Sequence, residues 1–132
     1  MDYIKPVQVM LVDDDEINNF IVKTLIRKVY KNSSFITFLN TEDAMRTLLR
    51  LKANNSQLPD YILLEVNSPD MNGWSFLDEY DRLKIDNDKS GRIIVLTCSL
   101  FTPDKDRSRR YHSIGGYFIK PLTIESLNSF LK

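Results

Sequence analysis

Hydrophobic residues along the chain form short continuous runs that alternate with longer segments of mixed polarity. The run 61–64 does not alternate and predicts a strand buried on both faces, and the mostly apolar run 7–12 predicts a central strand. Three further strands are predicted over 35–39, 92–96 and 117–119. The remaining segments predict helices over 17–29, 41–51, 73–83, 104–112 and 124–131. In four of these helices the apolar residues recur every three or four positions, whereas 104–112 is unusually polar and is expected to be solvated.

The apolar positions also predict which side of each helix is buried. In the first helix the buried side should carry Ile17, Phe20, Ile21, Leu25 and Val29. Helix starts are predicted at Asn40 or Thr41, at Thr102-Pro103 and at Thr123, because these residues suit the cap or the first turn. Gly115-Gly116 is expected to end the fourth helix.

Strands that alternate with helices predict a parallel sheet with helices on both faces. Right-handed crossovers restrict the possible strand orders. We expect an α/β fold, a doubly wound five-stranded parallel sheet of flavodoxin-like order 2-1-3-4-5 with five helices. No internal repeat or linker divides the sequence, so residues 1–132 are expected to form one domain.

Composition narrows the class of protein further. The chain has 132 residues, of which 42% are hydrophobic and 27% charged, with a formal net charge of zero. This balance argues against nucleic-acid binding, which usually requires a basic excess. A single cysteine, Cys98, excludes an internal disulfide, and neither a signal peptide nor an apolar run of the roughly 20 residues that span a membrane is present. We therefore expect a cytoplasmic protein.

Charged and hydroxyl side chains follow the predicted strands at the same edge of the sheet. Asp13 and Asp14 follow the first strand, Glu65 ends the third, Thr97 ends the fourth and Lys120 follows the fifth. Two carboxylates 4 Å apart repel by about 4 kcal/mol at an effective dielectric near 20, so their clustering requires a cation. Lys120 can supply one positive charge and Mg²⁺ the rest. A metal opposite a lysine and a hydroxyl predicts a clamp for a phosphoryl group.

The sequence resembles the CheY-like receiver domains of two-component response regulators. The resemblance rests on Leu11-Val12-Asp13-Asp14-Asp15, on residues 60–73 with their ending Pro69-Asp70-Met71-Asn72-Gly73, on Leu96-Thr97, and on Phe118-Ile119-Lys120-Pro121-Leu122. Each fragment alone is weak, but their order and spacing together cover residues 7–131. The resemblance implies a module of phosphorelay signalling that makes no product of its own and is therefore not an enzyme.

The resemblance also implies a metal site. Asp13 and Asp14 match the acidic pair that holds Mg²⁺, with Asp14 as the closer ligand. The backbone carbonyl of Asn67 matches the third protein ligand, and the carboxylate at position 65 completes the set.

Further residues are implied for phosphoryl binding and for switching. Thr97 matches the hydroxyl that moves to bind the phosphoryl group, and Lys120 matches the lysine that pairs with it. Tyr117 matches the aromatic switch that swings inward in the active domain. The expected partners are a sensor histidine kinase or a phosphotransfer protein, and an output protein or a second copy that binds the face formed by residues 104–132.

Glu65 departs from the family, which has its phosphoaccepting aspartate at this position. Glutamate is longer by one methylene, roughly 1.5 Å, so its carboxylate would lie nearer Lys120 and Thr97. Since a misplacement near 1 Å can cost about 100-fold in rate, efficient phosphorylation is not expected. Glu65 carries one negative charge, against about −1.5 to −2 for a phosphate group, and is expected to imitate the phosphorylated state in part.

Two alternatives remain open on the sequence. The first is a pseudo-receiver that works purely as a binding module, which Glu65 favours. The second is a Mg²⁺-dependent phosphatase, because Asp13-Asp14-Asp15 contains the Asp-x-Asp of haloacid-dehalogenase-like enzymes. That family requires a threonine or a similar residue where Ile17 stands, and the chain lacks the length for its cap.

Overall fold

A computed structural model describes residues 6–68, 71–86, 91–98 and 100–131, with Thr102 described by its backbone only. Strands and helices alternate along this part of the chain, as the hydrophobic pattern predicts. The strands are β1 (Val7–Val12), β2 (Ser33–Phe38), β3 (Tyr61–Leu64), β4 (Ile93–Thr97) and β5 (Ile114–Ile119). The helices are α1 (Glu16–Val29), α2 (Thr41–Ala53), α3 (Gly73–Arg82), α4 (Thr102–Ser108) and α5 (Ile124–Phe130).

All strand pairs are parallel, and the strand order is β2-β1-β3-β4-β5, which confirms the predicted α/β architecture. The register fixes which strand ends meet. Val12 lies opposite Leu64, so Asp13 and Glu65 leave adjacent strands at the same level. Thr97 lies opposite Ile119, so Lys120 leaves β5 beside the end of β4.

The sheet carries a hydrophobic core on each face, because alternate strand residues point to opposite sides. Met10 and Val12 of β1 belong to the core that contains Leu48 of α2 and Leu77 of α3. Val9 and its alternate neighbours belong to the second core, which includes residues of α1 and α5. The central strands therefore have apolar residues on both faces, which explains why their sequences do not alternate in polarity.

The predicted buried side of α1 is wrong except at Leu25, which is half-buried against the second core. Ile17 is 75% exposed and Phe20 70% exposed, whereas Val22 and Ile26 are buried. Asn18 and Asn19 are also buried on that inner side. Tertiary contacts of two asparagine side chains, described below, outweigh the apolar spacing that suggested the opposite face.

The start of α4 and the extent of β5 also differ from the prediction. α4 begins at Thr102, but Phe101 occupies its cap position without a side-chain hydrogen bond. Gly115 and Gly116 lie within β5 and do not end the preceding helix. A Cβ atom on Gly115 would lie 2.2 Å from the carbonyl oxygen of Gly91, so this glycine is required by the close approach of two backbone segments. Sequence spacing gave no sign of that contact.

None of the helices in the described ranges combines the length and the apolar composition needed to cross a bilayer.

Candidate functional site

The carboxyl ends of β1, β3 and β5 bring three of the predicted charged side chains together. The ammonium nitrogen of Lys120 lies 2.7 Å from Oδ2 of Asp13 and 3.2 Å from Oε1 of Glu65. All three side chains are at least nine-tenths buried. One lysine thus bridges two carboxylates at the edge where the sequence predicted a phosphoryl clamp.

Burial and pairing have opposite effects on the pKa values of Asp13 and Lys120. Burial raises the pKa of the Asp13 carboxyl, and the hydrogen bonds from Lys120 and from the Asp15 amide oppose this rise without cancelling it. Burial alone would lower the pKa of Lys120. The hydrogen bond from Lys120 to Asp13 and the negative charges of Asp13 and Glu65 outweigh this effect, so the pKa is raised overall. The ammonium form of Lys120 is therefore the form that this pocket stabilises.

The first turns of α1 hold Asp13 in place. The side-chain amide of Asn18 donates to Oδ2 of Asp13 at 3.2 Å, and the backbone amide of Asp15 donates to Oδ1 at 2.9 Å. Asn19 donates from Nδ2 to the carbonyl oxygen of Asp13 at 3.0 Å. Asp15 itself caps α1 by accepting from the amide of Asn18.

The sequence reasoning missed Asn18 and Asn19. One signal was available, because position 18 lies four and eight residues before the buried Val22 and Ile26, on the same side of the helix. The competing apolar set Ile17, Phe20 and Ile21 hid that signal.

Glu65 folds back over the start of the β3–α3 connection. Its Oε2 accepts hydrogen bonds from the backbone amides of Val66 at 2.9 Å and of Asn67 at 3.1 Å. Its other oxygen faces Lys120. Asn67 then donates from its side chain to Oδ2 of Asp104 in the first turn of α4, at 3.1 Å. Glu65 and α4 are thereby linked through one residue, and Asp104 is a second contact that the sequence did not reveal.

Asp14 lies at the same edge but makes a different contact. Its Oδ2 accepts a hydrogen bond from the hydroxyl of Ser68 at 2.8 Å, which joins the β1–α1 and β3–α3 connections. Asp14 is half-buried, so it is more open to water than Asp13 or Glu65.

Thr97 and Tyr117, the two predicted switch residues, lie on neighbouring strands. Thr97 is fully buried, and its carbonyl oxygen accepts from the amide of Lys120 at 2.8 Å. Tyr117 lies opposite Val95 in the sheet, packs against the first core, and has its hydroxyl oxygen buried. Their roles stay predictions.

The residues that were predicted to hold Mg²⁺ do not fit a tightly bound ion in this arrangement. Lys120 occupies the approach to Asp13 and Glu65, and Glu65 uses its second oxygen on two backbone amides. Among the residues that the structure describes, no group of three or more His, Cys, Asp or Glu side chains is arranged to hold a metal. The predicted ligand set of Asp13, Asp14, Glu65 and Asn67 is left as a prediction.

Parts of the predicted motifs lie outside the described residues. Pro69 and Asp70, which belong to the second fragment of the resemblance, are among them, as is Lys132 at the end of the proposed partner face.

Similarity to solved structures is extensive, whereas no family model and no curated protein matches the sequence. A two-component response regulator from Cytophaga hutchinsonii superposes with a TM-score of 0.81 at 28% identity, covering 96% of this chain and 94% of that one. A second, from Legionella pneumophila, has a TM-score of 0.76 at 26% identity and covers 93% of each chain.

A third structure shares the fold at lower identity. The Mn²⁺-bound form of response regulator Rcp1 has a TM-score of 0.72 at 24% identity and covers 95% of this chain and 94% of that one. The strand order and these similarities show that the chain has the fold of the CheY-like receiver domains, and the neighbours at 28% and 26% identity are two-component response regulators.

Proposed function

We propose that this chain is a response-regulator receiver domain of two-component signalling that acts by protein–protein contact, with Glu65 at the phosphoacceptor position. The observation that carries the proposal is the position of Lys120, 2.7 Å from Asp13 and 3.2 Å from Glu65. A permanent carboxylate thus occupies the place opposite the lysine where a phosphoryl group would develop its charge.

Phosphorylation of Glu65 is disfavoured by geometry. Its carboxylate is extended by one methylene and is held by Lys120 and by the amides of Val66 and Asn67. In-line attack on a phosphoryl donor requires a free and accurately placed oxygen. Both oxygens of Glu65 are instead engaged by protein donors, so we propose that the domain signals without efficient phosphate transfer.

The switch residues support an active-like state. The carboxylate of Glu65, which contacts Lys120, carries about one negative charge. A phosphate group carries about −1.5 to −2, so Glu65 would reproduce part of the charge of a phosphorylated site. The buried hydroxyl of Tyr117 is compatible with the inward position implied for an active domain. An outward Tyr117 with Lys120 far from Glu65 would have argued against this idea.

The proposed partners follow from the family. A sensor histidine kinase or a phosphotransfer protein would dock with the domain, and an output protein or a second copy would use the face of residues 104–132. Part of that face is an open cleft between α4 and β5 with two cations, Lys105 and Arg109, and two aromatic residues, Tyr111 and Tyr117. We propose that residues 1–132 act as one receiver domain in the cytoplasm, with no product of their own.

Metal binding is the weakest part of the resemblance. The Rcp1 neighbour holds Mn²⁺, and the acidic pair Asp13 and Asp14 is present here. We propose that Glu65 and Lys120 weaken or alter Mg²⁺ binding in this chain, because they already satisfy one another.

Acetyl phosphate provides a direct test. The purified protein is incubated with Mg²⁺ and acetyl phosphate and its intact mass is measured. The expected result is an unmodified chain, and a clear phospho-adduct at Glu65 would contradict the proposal. Transfer from a kinase would separate a working relay from the alternative, a pseudo-receiver that is independent of phosphorylation, which Glu65 favours. Turnover of a generic phosphomonoester would revive the phosphatase alternative.

A further inference from the structure

We infer that Lys120 is the resident cation of this site and that Asp13, Asp14 and Glu65 do not bind a divalent metal ion while it is in place. The inference deepens the proposed function and rests on it, since it assigns the charge balance of the same site. The inference is argued from the hydrogen-bond donors that the three carboxylates already have within the protein.

Asp13 has protein donors on both oxygens. Oδ1 accepts from the amide of Asp15 at 2.9 Å. Oδ2 accepts from Lys120 at 2.7 Å and from Asn18 at 3.2 Å. A metal ion on Oδ2 would have to displace the ammonium group or Asn18, which would leave a buried polar group without its partner. A metal ion on Oδ1 would have to share that oxygen with the amide of Asp15, beside the positive charge of Lys120.

Glu65 is engaged in the same way. Oε1 faces Lys120, and Oε2 accepts from the amides of Val66 and Asn67. A carboxylate that turned towards a metal would leave both amides without their acceptor. Because Asn67 also holds Asp104 of α4, such a rotation would disturb the link between this loop and α4 as well.

Asp14 cannot complete a metal site by itself. Its Oδ2 accepts from Ser68 at 2.8 Å, and its half-buried position leaves it partly solvated. Mg²⁺ requires near-ideal octahedral geometry and dehydrates reluctantly, so one partly solvated carboxylate holds it only loosely.

The cavity on the inner side of Asp13 and Glu65, which neither Asp14 nor Asn67 lines, is also too small for a hydrated ion. The cavity lined by Asp13, Glu65, Asn18 and Asn19 has a volume of about 10 Å³. That volume holds at most about one water molecule, whereas bound Mg²⁺ usually keeps several. The ammonium group of Lys120 reaches the site on its own side chain, and its contacts with Asp13 and Glu65 offset the cost of removing it from water.

Mn²⁺ is the probe that tests this inference. The full chain, freed of metal by a chelator, is titrated with MnCl₂ while free Mn²⁺ is counted by electron paramagnetic resonance and amide broadening is followed by NMR. At about 1 mM Mn²⁺ we expect less than roughly a tenth of the wild-type protein to bind the ion. Selective broadening at Asp14, Val66 and Asn67 with a Kd below about 9 mM, which corresponds to more than about a tenth bound at about 1 mM, would overturn the inference.

The variant Lys120→Met removes the cation and leaves two buried carboxylates without a counter-charge. We expect its affinity for Mn²⁺ to rise at least about tenfold. Lys105→Met, at an exposed position of α4, is the matched control and should bind no more Mn²⁺ than the wild type. An unchanged affinity in folded Lys120→Met would overturn the inference.

Thermal unfolding of the wild type gives a readout that needs no variant. A bound ion at 100 times its Kd would stabilise the fold by about 2.7 kcal/mol, so we expect the midpoint to be equal in MgCl₂ and in chelator. A clear rise of the midpoint in MgCl₂ would refute the inference. Tight metal binding would contradict this inference and the proposed weakening of Mg²⁺ binding, but it would leave the proposed signalling role intact, because that role is tested by the mass of the chain after acetyl phosphate treatment.

Discussion

The ammonium nitrogen of Lys120 lies 3.2 Å from Oε1 of Glu65, and both side chains are buried. The pair joins the end of β3 to the segment after β5 at the edge of the sheet. Because the same ammonium group also contacts Asp13 after β1, one lysine links three segments of the site.

Replacement of Lys120 by methionine should destabilise the fold. The change leaves Asp13 and Glu65 buried without a counter-charge, which costs about 3–5 kcal/mol in comparable pairs. Urea denaturation at pH 7 measures this difference in the free energy of unfolding. Lys105→Met, at an exposed position, should change it by less than about 0.5 kcal/mol.

The difference in the free energy of unfolding between the wild type and Lys120→Met should depend on pH in the alkaline range. The pKa of Lys120 is raised above its usual 10.5 in the folded state. Its stabilising contribution is therefore fully present below pH 10.5 and is lost as the pH rises through the folded pKa. We expect the stability difference between wild type and Lys120→Met to be constant from neutral pH to about 10 and then to shrink. A difference that grew in this range would contradict the assigned ion pairs.

Shortening Glu65 to aspartate should restore phosphorylation. Glu65→Asp withdraws the carboxylate from Lys120 and removes the misplacement near 1 Å that can cost about 100-fold in rate. Intact-mass spectrometry after treatment with acetyl phosphate and Mg²⁺ should then show an adduct that the wild type lacks. Glu65→Gln, which keeps the length and removes the carboxylate, serves as the negative control. Equal modification of Glu65→Asp and Glu65→Gln would mean that the adduct forms elsewhere.

Truncation of a side chain should lower the free energy of unfolding much more on one face of α1 than on the other. Ile26 is fully buried, so Ile26→Ala should lower the free energy of unfolding by about 2–5 kcal/mol. Phe20 is 70% exposed, and Phe20→Ala should change it by no more than about 0.5 kcal/mol. Urea denaturation of both variants decides which face is buried. A larger loss for Phe20→Ala would show that the sequence-based assignment was right.

Gly73 is required by the close approach of α3 to the residues of the site. A Cβ atom at this position would lie 2.6 Å from the carbonyl oxygen of Glu65 and 2.6 Å from Cα of Val66. Because both contacts are with backbone, Gly73→Ala must move the chain, at a cost of about 1–3 kcal/mol. The amide NMR signals of Val66 and Asn67 should shift with it. Ser75→Ala, two residues later and exposed, should leave stability and signals unchanged.

The sequence alone determined the fold of this protein. The apolar run 61–64 and the mostly apolar run 7–12 predict buried strands, and the alternation of strands with helices favours a parallel sheet that helices cover. Once the order β2-β1-β3-β4-β5 follows, the positions of Asp13, Glu65 and Lys120 at one edge require no further information.

Only the tertiary structure decided which donors each charged group receives. Asn18 and Asn19 face inward because Asp13 needs hydrogen bonds once it is buried, and this demand overrides the apolar spacing of Ile17 and Phe20. Position 115 in β5 requires a glycine because the backbone of Gly91 passes next to it. The periodicity of apolar residues describes one helix or strand at a time. The roles of Asn18, Asn19 and Gly115 depend on contacts with other segments, and these contacts exist only after the sheet has assembled.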